Sequence, residues 1–114
     1  NKTVITDKIE PRVIFINNID ILKEITKQEV VRHNLHRTII LPSDFFGDEV
    51  PTDASPFQSR GIPIVSLISG PLYLYDDIDT LDKVATEELR PVTEAFADIV
   101  WRISDLPDGA LLKK

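Results

Sequence analysis

Three short apolar runs, Val13–Ile16, Thr38–Leu41 and Ile64–Ile68, constrain this chain more than anything else in it. All are rich in β-branched residues and too short for a buried helix. Each is bounded by turn-forming residues: Pro11 and Asn17, Pro42, and Gly61 with Gly70-Pro71. An apolar run without polar alternation marks a strand covered on both faces, so Val13–Ile16 is expected at the centre of a sheet. After it, Asn17-Asn18 offer helix N-caps and Asp20 suits the positive end of a helix. Ile21, Leu22, Ile25, Val31 and Leu35 then form an imperfect apolar stripe. This pattern predicts a helix from about Ile19 to Asn34, and strand, helix, strand predicts a right-handed crossover unit.

A second helix is expected near the end of the chain. Thr86 can serve as its N-cap, Glu87 and Glu88 fall in its first turn, and Leu89, Val92, Phe96, Ile99, Val100 and Ile103 keep helical spacing. Phe96, Ile99 and Ile103 are expected to pack it on the sheet. Pro91 lies beyond the positions where a missing N–H is harmless, which predicts a distorted first turn or a later start. Asp105-Leu106-Pro107-Asp108-Gly109 stops the helix, and Ala110–Lys114 is expected to be a frayed tail. Between the second and third runs, Ser43–Arg60 contains Asp44, Gly47, Pro51 and Pro56 without clear periodicity. A loop of that length in a compact domain is usually functional or mobile.

The 114 residues fit one domain with a sizeable core, and 42% hydrophobic with 28% charged residues is ordinary soluble globular composition. No apolar run approaches the roughly 20 residues of a membrane span. A net charge of −6 disfavours a nucleic-acid partner. The one basic cluster, Arg32-His33-Asn34-Leu35-His36-Arg37, falls where a helix ends and suits its dipole. His33 and His36 share a helix face without an acidic residue spaced to complete a metal site, and both are expected on the surface. Cysteine is absent, which excludes disulfides and thiolate metal sites. Localisation and oligomeric state are not encoded in these features. The start at Asn1, without a signal stretch, reads as a fragment or a processed product.

Two segments add a functional expectation: Thr52-Asp53-Ala54-Ser55-Pro56-Phe57 running into Arg60-Gly61-Ile62-Pro63, and Tyr75-Asp76-Asp77-Ile78-Asp79-Thr80-Leu81-Asp82-Lys83-Val84 running into the last helix. Together they resemble the C-terminal half of the di-zinc aminopeptidase family, whose relatives include glutamate carboxypeptidase, the transferrin receptor ectodomain and glutaminyl cyclase. In that family a Ser-Asp-His-x-x-Phe segment precedes Gly-Ile-Pro. A His-Thr-x-x-Asp-Thr-x-Asp-Lys-Val segment then supplies the last zinc ligand. The resemblance implies an α/β fold of three layers, α-β-α, with a mixed or parallel sheet, forming part of a zinc-exopeptidase-like domain. It also implies that residues 1–114 are a single C-terminal part of a larger peptidase-like domain.

Two zinc ions in such enzymes, about 3.5–4 Å apart, activate a water against a peptide carbonyl. The resemblance places Asp53, Phe57 and Tyr75 beside a substrate pocket. The family's zinc histidine falls on Tyr75 or, with one residue deleted, on Asp76. Asp76 and Asp77 are therefore the candidate metal ligands, since aspartate oxygen binds zinc and tyrosine binds it poorly. Asp76, Asp77, Asp79 and Asp82 also suit a hard cation such as calcium, or simply a solvated acidic turn. Asp20 could match a further family ligand in Asn18-Ile19-Asp20, although a charged first helical turn is the better account of it. Ala54 replaces the other histidine, and an ordinary turn at Asp53 would place Phe57 in the core beneath Gly61-Ile62-Pro63.

Zinc is thus expected in the full-length parent and none in the isolated chain, which lacks most of the ligand set and should be inactive by itself. No Gly-rich phosphate loop, Gly-x-Ser-x-Gly elbow or His-Glu-x-x-His helix offers another chemistry. Two classes remain: part of a metallopeptidase acting on a peptide substrate, or a non-catalytic peptidase-like domain that binds a peptide or protein partner.

Overall fold

The computed structural model describes residues 11–47, 49–69 and 80–112. Its elements run in the order β1 (Arg12–Ile16), α1 (Asp20–Arg32), β2 (Thr38–Pro42), α2 (Ser55–Ser59), β3 (Val65–Ser69) and α3 (Thr86–Ser104). All three apolar runs of the sequence are strands of one sheet, in the order β2-β1-β3. The pair β1 and β2 is parallel, with Ile14 opposite Ile40, and β3 lies antiparallel to β1, with Leu67 opposite Ile14. The result is a small α/β structure with a mixed sheet, and β1 is central, as its uniformly apolar sequence predicts. Ile14, Phe15 and Ile16 are all almost fully buried.

Strand alternation divides β1 between two faces. Val13 and Phe15 point to one side, where Phe15 meets Val50 and Ile64, with Leu41, Ala54 and Ile68 packed around them. Residues 43–47 and 49–64 therefore cover this face rather than hanging from it. Arg12, Ile14 and Ile16 point to the other side. The Arg12 guanidinium, itself buried, donates to the Glu88 carboxylate of α3 at 3.1 Å and to the His36 carbonyl at 2.8 Å, which identifies this side as the one nearer the helices.

The close helix neighbour of α3 is α1. Leu22 and Ile25 of α1 and Ala95 and Ile99 of α3 are buried, whereas Phe96 and Ile103 are only half-buried. The buried face of α3 is thus rotated towards Ala95 and Ile99 relative to the face expected to pack on the sheet. Thr86 is the first helical residue and Ala85 the cap; Pro91 stands inside the helix, which continues through it from Thr86 to Ser104.

Helix α1 ends two residues before the predicted stop, for a local reason. Asn34 adopts a left-handed conformation with φ of 54°, and Leu35 N–H returns to the Val30 carbonyl while Asn34 N–H returns to that of Val31. This is the 6→1 and 5→2 closure that asparagine tolerates better than other non-glycine residues, and it tucks Leu35 into the core. Beyond α3 the chain is turned rather than frayed up to residue 112. Ala110 N–H bonds Pro107 O, and Leu112 N–H bonds Gly109 O.

Candidate functional site

A hollow of about 480 Å³ opens at the carboxyl ends of the parallel pair β1 and β2. Asn17 to Ile19 reach it from the end of β1, Ser43, Asp44, Gly47 and Glu49 from the segment after β2, Gln58, Ser59, Gly61 and Pro63 from the approach to β3, and Leu111 with Leu112 from the tail. Open α/β sheets present ligand crevices in this position because loops diverge where parallel strands end. The chain builds the rim with side-chain amides. Gln58 donates to Ser43 O and accepts from Val50 N–H, both at 2.8 Å, and so pins α2 across the loop. Asn17 Oδ1 accepts from Ile64 N–H at 2.6 Å, tying the end of β1 to the start of β3. Gly61, with φ of 76°, supplies a left-handed turn that a β-carbon would strain. Ile62 N–H then closes back on Phe57 O.

Of the residues expected at a substrate pocket, Asp53 and Phe57 both lie in the segment that covers the sheet, one before α2 and one within it. Asp53 is exposed. Phe57 is 56% exposed and does not enter the core beneath Gly61-Ile62-Pro63, because Val50 and Ala54 occupy the space against Phe15 instead. The turn before α2 is made by Thr52, whose hydroxyl accepts from Ala54 N–H at 3.1 Å and bonds Ser66 Oγ at 2.8 Å, so Asp53 is not needed to form it. Tyr75, Asp76 and Asp77 lie outside the described residues. From the same acidic segment, Thr80 Oγ1 donates to the Asp82 carboxylate at the head of a single 3-10 turn, Leu81–Lys83. Asp20 stands exposed in the first turn of α1, 3.7 Å from Lys23 Nζ.

A second polar cluster joins α1 to α3. Glu29 is fully buried and His33 is 14% exposed at its side chain; His33 Nε2 lies 2.8 Å from Asp98 Oδ2 and 3.8 Å from Glu29 Oε1. Among the described residues this is the one group of three such donors that converges closely enough to hold a metal ion. Its surroundings argue for a different use. Arg32 Nη1 donates to Glu29 Oε1 at 3.0 Å and Arg32 Nη2 lies 3.6 Å from Asp98, while Arg102 Nη1 lies 3.6 Å from Glu29 Oε2. Two arginines already balance two carboxylates, so a divalent ion would have to displace them.

The expectation that no acidic residue is spaced to reach His33, and that it lies on the surface, is overturned. Glu29 precedes it by four residues, one helical turn, and Asp98 arrives from α3. The first partner was readable as an i,i+4 pair; the second depends on how α3 packs. The described residues therefore do not present the ligand set of a di-zinc centre. Comparisons with protein-family models, with curated proteins and with solved structures returned no match. No helix among the described residues is long and apolar enough to cross a membrane.

Proposed function

We propose that this chain is the C-terminal part of a zinc-dependent aminopeptidase-like hydrolase, with the three-layer exopeptidase architecture, acting on peptides and inactive as an isolated fragment. One observation carries the reading. Gly61 and Pro63 of the Gly-Ile-Pro frame of the resemblance line the same hollow as the Asn17–Ile19 turn at the carboxyl ends of β1 and β2. In this reading the missing zinc ligands precede Asn1, and Asp53 and Phe57 flank the substrate with Tyr75. Asp76 or Asp77 takes the place of the family histidine.

The test is hydrolysis of aminoacyl-anilides by the polypeptide extended upstream of Asn1. Turnover should be abolished by a chelator and restored by zinc, and Asp76→Ala or Asp77→Ala should depress it far more than stability. A folded, zinc-free and inert extended protein would end the hydrolase reading. The second reading, a non-catalytic domain binding a peptide or protein partner through the same hollow, is favoured by one specific feature: Ala54 and Tyr75 stand where the family carries histidines.

A further inference from the structure

The polar groups around the hollow differ in what remains of their bonding capacity. Gln58 is used at both ends, by Ser43 O and Val50 N–H. Asn17 Oδ1 is taken by Ile64 N–H, Asn18 Oδ1 by Lys23 Nζ, and Ser59 Oγ by Pro56 O. These amides and hydroxyls build the frame. Among the described residues the charged side chains of the lining are Asp44 and Glu49, both exposed, and no described lysine or arginine lines it. Neither acid meets a cation among the described residues. The positive end of α1 approaches the rim, but Asp20 sits on that turn and opposes an incoming anion. The lining also includes apolar side chains: Ile19, Pro63, Leu111 and Leu112. A concave site with one sign of charge and apolar side chains selects a ligand with the opposite charge carried on an alkyl stem.

We infer that the hollow is a subsite for a basic peptide side chain, lysine or arginine, whose cation meets Asp44 and Glu49 and whose methylenes lie along Leu111 and Leu112. The inference rests on the peptide-binding reading of this hollow and adds what part of the peptide enters it. It does not depend on hydrolysis, so the two can fail separately.

The experiment is calorimetric or NMR titration of the chain with short N-acetylated, C-amidated peptides that differ in one residue: lysine, arginine, leucine or glutamate. Acetylation removes the α-ammonium, so only the side chain can supply a cation. The lysine and arginine peptides should bind at least about tenfold more tightly than the other two, and in about 1 M salt, where the Debye length falls to about 3 Å, the difference should collapse. Asp44→Asn with Glu49→Gln should remove the preference while unfolding as the parent does, and Leu111→Ala should weaken lysine and leucine peptides alike. Equal affinity for all four peptides, an unchanged preference in the double variant, or no binding at millimolar peptide would each overturn the inference. Selective binding by an extended protein that hydrolyses nothing would remove the hydrolase reading and leave this one standing. Chelator-sensitive hydrolysis without any preference for the basic peptides would do the reverse.

Discussion

The α1–α3 junction and the hollow both concentrate acidic side chains, yet the two regions use them in opposite ways. At the junction Glu29 is fully buried, and every acid oxygen that faces inward meets Arg32, Arg102 or His33 from the same or the facing helix. At the hollow Asp44 and Glu49 stand in water on a rim whose bonds are made by neutral amides. A buried carboxylate without cations would carry a desolvation penalty of several kcal/mol, and at Glu29 Arg32 from α1 and Arg102 from α3 stand against it to offset that cost. An exposed carboxylate needs no partner to be stable and remains open to a ligand. The difference shows that acid content does not separate structural from functional charge; the deciding fact is whether another element of the fold delivers the counter-charge.

The sharpest way to break this comparison is at Glu29. Glu29→Ala should destabilise the chain by about 3 kcal/mol, the lower end for a broken buried pair, because Arg32 and Arg102 retain a path to water. Urea unfolding measures it, and a loss below about 1 kcal/mol would mean that the junction is wet and no different from the hollow. His33→Ala comes next. Its ring makes one hydrogen bond of 2.8 Å to a carboxylate, and such bonds contribute about 1.5–3 kcal/mol, less here because Asp98 is partly exposed. A value near 1 kcal/mol is expected from the same unfolding curves, and Asp98→Asn in the His33→Ala background should then cost almost nothing further.

How far these regions were legible beforehand follows from the range of the interactions. The three strands could be read because each is a local apolar run, and β1 could be placed centrally because Val13–Ile16 lacks polar alternation. The antiparallel direction of β3 could not, since it depends on how residues 43–64 cross the sheet. That segment looked structureless because its order comes from single long-range bonds, Gln58 to Ser43 and Asn17 to Ile64, which leave no periodicity. An ordinary turn at Asp53 would have placed Phe57 in the core, but Val50 took the place beside Phe15. At the junction, Glu29 and His33 were one turn apart in plain view, whereas Asp98 and Arg102 could join them only through the packing of α3 on α1. The hollow itself required three separated segments and the tail to converge.

A metal test sharpens the junction side with a smaller expected effect. Since the arginines already neutralise Glu29 and Asp98, protein exchanged against zinc and then against buffer should retain less than one equivalent by elemental analysis. Zinc at low excess should leave the unfolding temperature essentially unmoved, because a ligand stabilises only as it binds the folded state. Stoichiometric zinc that disappears with His33→Ala would mean that the arginines yield their places and that the junction is a metal site.

The smallest effect belongs to the hollow, and it tests the other half of the comparison. Replacing Asp44 with Asn and Glu49 with Gln removes two negative charges from a chain of net −6, leaving −4. If both acids are unpaired in water, as their position on the rim indicates, folding loses no ion pair and gains slight relief from self-repulsion. The double variant should therefore match the parent within about 0.5 kcal/mol, with any difference in its favour at low salt and vanishing as salt is raised. A loss of more than about 1 kcal/mol would show that these acids brace the segment after β2. They would then belong with Glu29 as structural charge, and the hollow would have no free acid to offer a ligand.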